Sequence, residues 1–472
     1  MAPTASGSEL IVVTHGARAG IDRNAVRESI AAQSRLVELL PEGGAPLRIF
    51  GPADRLPQRI ADTDQEPIGA QYLNYFAVRG VAAELEALAD RLRADDAVEA
   101  AYIKPPTEPP IAPPVVLADI AVRRREDAPA VTPNYEVRQG YLDAAPQGVN
   151  ARWAWTQPGG RGAGVRIVDV EGAWRFTHED LLANQGGVIG NAPSADLGWR
   201  NHGTAVAGEI SGDVNTFGIT GIAADAAIRA VSVFDAGSAA AIRTAADALG
   251  AGDIILLELH RPGPRYNYQN RSDQAGYIAI EWWPDDWAAI RYAIGRGVIV
   301  VGAAGNGAED LDSALYDTRP ADFPSSWRNP FRGGAADSGA ILVGAGAPPP
   351  GFHGRDNGPA RSRLAFSNYG SRLDAQGWGL EVTTTGYGDL QGGADEDYWY
   401  TDTFSGTSSA SPIVVGSVAS YQGLAAAGAG RKTPAEVRAR LRATGSPQMD
   451  APGRPATQRI GNLPDIQAMT AP

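Results

Sequence analysis

Three short segments hold chemistry-capable side chains against glycine. Asn201 to Gly208 (NHGTAVAG) presents His202 in front of a glycine, Gly302 to Gly307 (GAAGNG) presents Asn306 after the apolar run Val298 to Val301, and Gly406 to Pro412 (GTSSASP) presents Ser408 before an apolar stretch (IVVGSVASYQGL). A serine at a helix N-terminus has an exposed Oγ and an outward backbone N–H, and the positive end of the macrodipole favours developing negative charge. Gly406 permits close backbone approach, and Pro412, read as part of the first turn, has no N–H that needs a partner. One Ser-rich helix start alone is an ordinary N-cap. His202, at what reads as another glycine-flanked helix start, adds a base, and the three groups together suggest nucleophilic acyl chemistry.

Other chemistries lack their parts. There is no cysteine, so disulfides, thiol nucleophiles and thiolate metal sites are excluded together. Only Lys104 and Lys432 are lysines, which leaves almost no candidate for a Ser-Lys dyad or a Schiff base. The five histidines (His15, His178, His202, His260, His353) form no HExxH pair, which argues against a zinc hydrolase. With 41 Lys+Arg against 54 Asp+Glu the net charge is -13, against a nucleic-acid or anionic-membrane role. Glu309, Asp310 and Asp312 are spaced suggestively for calcium but lack the glycine punctuation of a dedicated loop, so no metal and no cofactor is expected.

In this order, the three segments resemble the motifs of the subtilisin-like serine peptidases (subtilases): HGTxVAG for the histidine, AAGN for the oxyanion donor and GTSxAxP for the nucleophile. The resemblance covers residues 139 to 472. It implies a serine endopeptidase acting on peptide or protein substrates, in which His202 takes the proton of Ser408, and Asn306 with the Ser408 N–H holds the oxyanion. The family's acid is an Asp at a strand end; aligned on Gly164-Val165 and on His178-Glu179-Asp180-Leu181, that position is Glu171. Glutamate can do the same work if set back by about one methylene. Asp169, two residues earlier on the same strand face, is the alternative and lies deeper, while Asp180 reads as a loop residue. The resemblance puts Glu258, Leu259 and His260 on one wall of the substrate cleft and Ala303, Ala304 and Gly305 on the other. Charge at 258 and 260 departs from the family's small residues; it suits either recognition of a polar side chain or an ion pair with Arg261. These departures leave open a catalytically impaired, peptide-binding relative.

The elements that must position these residues follow from periodicity. Val165 to Val170, Ile254 to Leu257 and Val298 to Val301 are nearly continuous apolar runs, the mark of parallel strands covered on both faces, so residues 139–472 read as an α/β domain with a mainly parallel sheet flanked by helices. Within it the insertion Pro262 to Trp287, with Trp282, Trp283 and Trp287, reads as packed aromatic core. The first hundred residues repeat strand, helix, strand: Leu10 to Val13, a helix over Ala25 to Leu39 with a Val26, Ile30, Val37 stripe, and Leu47 to Phe50; then Tyr72 to Val78, a Leu85, Leu88, Leu92 stripe, and Val98 to Ile103. That order predicts a small ferredoxin-like α+β domain over 1–104. It resembles a subtilase propeptide, which implies that it docks on the catalytic domain and blocks the cleft. Between them, 105–138 opens with six prolines in Pro105 to Pro114 and reads as an extended linker. Met1 to Leu10 has no basic or apolar leader pattern and no run is long enough to cross a bilayer, so a cytoplasmic rather than secreted protein is expected.

Overall fold

The computed structural model describes residues 7–16, 23–42, 44–51, 70–79, 85–111 and 129–471. The apolar runs of the N-terminal region become β1 (Glu9–Thr14), β2 (Ala45–Arg48), β3 (Tyr75–Arg79) and β4 (Val98–Lys104), with α1 (Arg23–Leu39) and α2 (Leu85–Arg93) between them. They pair antiparallel in the order β2-β3-β1-β4, the ferredoxin-like arrangement. Alternation along β1 divides its side chains. Leu10 and Val12 join Leu88, Leu92 and Leu36 under the helices, whereas Ile11 and Val13, with Tyr102 of β4, share one core with the larger body.

One expected stripe shifts. On α1 the buried residues are Ala25, Ser29, Ala32 and Leu36, while Ile30 and Val37 are each 55% exposed. Small residues at i, i+4 and i+7, ahead of Leu36 at i+11, let the helix lie close to the sheet, and close approach outweighs the larger apolar side chains at Ile30 and Val37. On α2 the expected Leu88 and Leu92 are buried.

The larger body is built on β5 (Arg166–Glu171), β6 (Gln185–Gly190), α3 (Leu197–Ser211), β7 (Ala227–Ser232), α4 (Ser238–Asp247), β8 (Ile254–Leu257), β9 (His260–Pro262), β10 (Tyr277–Ala279), α5 (Pro284–Gly295), β11 (Ile299–Ala303), β12 (Ile341–Gly346), β13 (Ala375–Trp378) and α6 (Thr407–Ala427). Seven strands form a parallel sheet, ordered β13-β12-β11-β8-β5-β7-β6. Its central strands are covered on both faces: Val168, Val170, Ile255 and Leu257 enter one core, Ile167, Ile254 and Leu256 the other. The three apolar runs picked out in the sequence are the adjacent strands β5, β8 and β11. β9 and β10 form a separate antiparallel pair, and the insertion's Trp282 packs against Trp283, Phe323 and Trp327 as core.

The chain between the two bodies is not a free spacer throughout. Pro105, Thr107 and Pro109 to Ile111 are buried, and residues 133–135 are already tied to the larger body, with the Tyr135 N–H on the Gly218 carbonyl at 2.6 Å. The arginine-rich stretch around Arg124 lies outside the described residues. Where β4 ends, charges are buried together: Lys104 Nζ lies 2.5 Å from Asp285, 3.2 Å from Asp286 and 3.3 Å from Glu9, and Arg261 reaches Glu9 at 2.5 Å. Among the described residues no helix is long and apolar enough to cross a membrane.

Candidate active site

Parallel strands aim their carboxyl ends at one side of the sheet, where α/β folds place their sites. Glu171 ends β5, Glu258 follows β8 and Ala303 ends β11. α3 and α6 pack together on one face of the sheet. α3 begins earlier than expected: the Asp196 side chain accepts the Trp199 N–H at 3.1 Å as an N-cap, so His202 sits in the second turn rather than at the helix start. Gly203 lets that turn approach, since a Cβ there would stand 2.3 Å from the Ala173 carbonyl. α6 begins as expected. Gly406, at φ 104, is its N-cap and Ser408 its second residue. Pro412 lies beyond the first turn, so it removes the N–H that would have bonded the Ser408 carbonyl.

His202 Nδ1 lies 2.6 Å from Glu171 Oε2, both side chains fully buried. Asp169 does not reach the histidine. Its Oδ2 accepts the Trp174 indole N–H at 2.7 Å, while its Oδ1 and Glu171 Oε1 are both buried without an oriented partner. Burial, then the Glu171 charge, push Asp169 well above the usual carboxylate range. Burial also pushes Glu171 up, while the Asp169 carboxyl beside it opposes that shift. A proton kept on Asp169 gives each carboxyl a partner and leaves Glu171 an acceptor for the imidazole. Burial lowers His202 to about 3, so the ring is neutral at pH 7, as a base must be. His202 Nε2 and Ser408 Oγ are both buried without an oriented hydrogen bond.

Asn306 is held at both ends. Its Oδ1 accepts the Thr407 backbone N–H and hydroxyl, each at 3.0 Å, and its Nδ2 donates to Gln274 Oε1 at 3.2 Å. Across the site runs the proline-rich segment of the same chain. Glu108 pairs antiparallel with His260, N–H to carbonyl at 3.2 and 3.1 Å. Two residues on, the Pro110 carbonyl accepts the Ser408 N–H at 3.3 Å. The Ile111 N–H turns back onto the Pro109 carbonyl at 2.9 Å.

Leu259 is buried beside that pairing, and Ala303, Ala304 and Gly305 form the buried β11 side. Glu258 makes no ion pair with Arg261, which turns instead to Glu9 and Ser238. Both Glu258 carboxyl oxygens are buried without an oriented partner. Burial, then Asp169, Glu171 and Glu209, push it well above the carboxylate range, while the nearby Ser408 hydroxyl favours its charged form. His260 is driven well below the imidazole range by burial and by His202, and its Nδ1 accepts the Asn306 N–H at 3.3 Å. Asp180 is structural, taking the Ile219 N–H at 2.7 Å and the Tyr400 hydroxyl at 2.9 Å. The carboxylates after Asn306 also serve local structure: Glu309 takes Arg265 and Tyr316, Asp310 the Asp312 N–H, and Asp312 Ser371. Sequence reasoning missed Gln274, in a polar loop, and Tyr277, at the start of β10; neither carries a motif, and their contacts depend on the fold. An open groove of about 890 Å³ lined by Trp153, Leu424 and Met469 lies at the far end of α6, about 24 Å from Ser408 by helix rise.

A family model described as the subtilase family matches residues 184–461, more than half of the chain. The chain belongs to the subtilase family. The match starts after Glu171, so the strand with the unusual acid lies outside it. A thermophilic serine proteinase of Bacillus sp. (strain AK1) is 28% identical over 299 residues, covering 61% of this chain and 59% of that protein. Subtilisin BL of Lederbergia lenta is 28% identical over 265 residues, 55% of this subtilase and 76% of the relative. Fervidolysin of Fervidobacterium pennivorans, described as a keratinolytic enzyme related to subtilisin, superposes with a TM-score of 0.54 at 17% identity, covering all of this chain and 62% of that one. That likeness speaks to the fold. This subtilase spans about three fifths of the thermophilic serine proteinase and of fervidolysin.

Proposed function

We propose that this subtilase is a serine endopeptidase whose N-terminal region restrains it. Ser408 attacks a peptide carbonyl, His202 takes its proton and returns it to the leaving amine, and Glu171 stands where the family has Asp, holding the imidazole tautomer and stabilising the imidazolium. The tetrahedral oxyanion is received by the Ser408 N–H and the Asn306 amide. Glu258, Leu259 and His260 line one side of the bound peptide; Ala303, Ala304 and Gly305 line the other. The observation that carries this reading is the Glu171–His202 bond at the same site where a backbone carbonyl, that of Pro110, already lies on the Ser408 N–H. That carbonyl occupies a substrate's place. Residues 1–104 would then act as a docked propeptide-type domain, 105–111 as the plug and the chain from 139 as the catalytic domain.

The test is reaction with a serine-directed fluorophosphonate, read by intact mass, on the full chain before and after cleavage between about Lys104 and Gln139, with Ser408→Ala as control. One adduct, absent from the control and formed faster after cleavage, is expected. A second reading, a peptide-binding relative without turnover, draws on the unmade bond between His202 Nε2 and Ser408 Oγ. No adduct in any sample would select it.

A further inference from the structure

The loop joining β9 to β10 carries Gln274 at φ 55, a left-handed conformation that strains a non-glycine residue and persists where surrounding contacts over-determine it. They do so here. The Gln274 N–H donates to the Arg271 carbonyl at 3.0 Å and the Gln274 carbonyl accepts the Tyr277 N–H at 3.1 Å. Beside it Asp273 pairs with Arg271 at 2.6 Å and accepts the Ala275 N–H at 3.1 Å.

The turn delivers the side-chain amide between two groups that a reacting peptide must meet. Nε2 donates to the Pro109 carbonyl at 3.2 Å, and Oε1 accepts from Asn306 Nδ2 at 3.2 Å. The orientation of both amides is forced from the ends. Pro109 offers only a carbonyl, so Gln274 must face it with nitrogen; Thr407 offers a backbone N–H, so Asn306 must face it with oxygen. Between those ends only Asn306 nitrogen to Gln274 oxygen remains. One Asn306 amide hydrogen is thereby engaged and the other is left for an oxyanion. The same loop end touches one residue further upstream, where the Tyr277 hydroxyl lies 3.1 Å from Glu108 Oε1.

We propose that Gln274 is a positioning residue of the oxyanion site, which fixes the Asn306 amide and grips the backbone carbonyl of the substrate residue just before the one whose carbonyl is attacked. This rests on the serine-peptidase reading above. It makes the insertion part of the machinery: substrate seated in register completes the chain of amides that aligns the oxyanion donor.

The experiment is steady-state hydrolysis of a peptide anilide by the full chain cleaved between about Lys104 and Gln139, comparing Gln274→Met, Asn306→Ala and the double variant. Gln274→Met should lower kcat about tenfold by letting the Asn306 amide drift and raise KM about fivefold by removing one neutral hydrogen bond to substrate. In the Asn306→Ala background its kcat effect should fall within twofold while the KM effect stays, the non-additivity expected of one residue acting through another. Gln274→Gly, which suits the left-handed backbone, removes the same two bonds and serves if the Met variant does not fold. Wild-type turnover with kcat and KM unchanged in both variants overturns the role of Gln274 alone, as does an undiminished kcat effect in the double variant. No turnover by the wild type overturns the peptidase reading, and the role with it.

Discussion

The two sides of the cleft are built differently. On the β5 and α3 side the acid and the base are joined by a short, directed contact, Glu171 to His202 at 2.6 Å, with Asp169 fixed to Trp174 at 2.7 Å beneath them, and only the groups that face the substrate, His202 Nε2 and Ser408 Oγ, are left without an oriented partner. On the β8 and β9 side, Glu258 has two buried oxygens without an oriented partner and His260 a buried Nε2 in the same state. A reacting group must meet its partner within a few tenths of an ångström, which restricts it to few residue types at fixed places. A substrate wall need only present a shape and an edge of backbone, and here that tolerance admits a buried acid, Glu258, whose burial favours its protonated form.

The comparison breaks if the β5 side proves dispensable. Ser408→Ala should reduce peptide hydrolysis by about 10^6-fold, the scale for losing a nucleophile that acts with its base as a unit. Glu171→Ala should reduce kcat about 10^4-fold, whereas Asp169→Ala should act mainly on stability, read as a drop in melting temperature. If the two exchanged rank, Asp169 would be the acid and the strand alignment would be off by two residues.

Buried acids on both sides of the cleft predict the direction of a pH effect. Glu258, Glu209 and Asp169 all have their folded pKa raised first by burial. A carboxyl raised on folding binds a proton that the unfolded chain has released, so its contribution is present below the unfolded value near 4.5 and is lost as pH rises, by about 1.4 kcal/mol per pH unit for each proton. Thermal melts should therefore weaken from pH 5 to pH 8, and Glu258→Gln should flatten that slope while changing kcat at pH 7 by less than about threefold. A steeper slope in Glu258→Gln would mean that the carboxyl is ionised in its pocket.

The smallest effect concerns the seam between the bodies, where Glu9, Asp285, Asp286, Lys104, Arg261 and Ser238 meet. Burial raises Asp286 to about 6, opposed by Lys104; Glu9 is lowered to about 2, Lys104 and Arg261 outweighing its burial. On separation Asp286 loses its cover and returns toward the ordinary carboxylate range, so it takes up a proton on docking between pH 6 and 4, whereas Glu9 keeps Lys104 beside it on the same sheet. The released N-terminal piece should bind about tenfold more tightly at pH 5 than at pH 7. Titration by calorimetry at the two pH values reads the difference, and equal affinity at both would mean that Asp286 is not protonated on docking.

Much of this was legible in the sequence because its signals are local. Apolar runs marked β5, β8 and β11, and short motifs marked His202, Asn306 and Ser408. The position of Glu171 followed from aligning its strand with the family's acid, and the structure brings its carboxylate to His202. The stripe on α1 misled because alanine and serine carry little hydrophobic signal yet permit the closest approach. The start of α3 misled because the Asp196 cap lies six residues before the histidine. Gln274 was illegible: its partners, Pro109 and Asn306, are 165 and 32 residues away, and only the crossing of two loops brings them together.

Lys104 is one of only two lysines, and it is fully buried at the seam. An amine-selective reagent applied to the intact chain should modify the half-buried Lys432 while sparing Lys104. Mass analysis of that single residue then becomes a clock for the opening of the molecule, one that keeps time whether or not a peptide bond is ever cut.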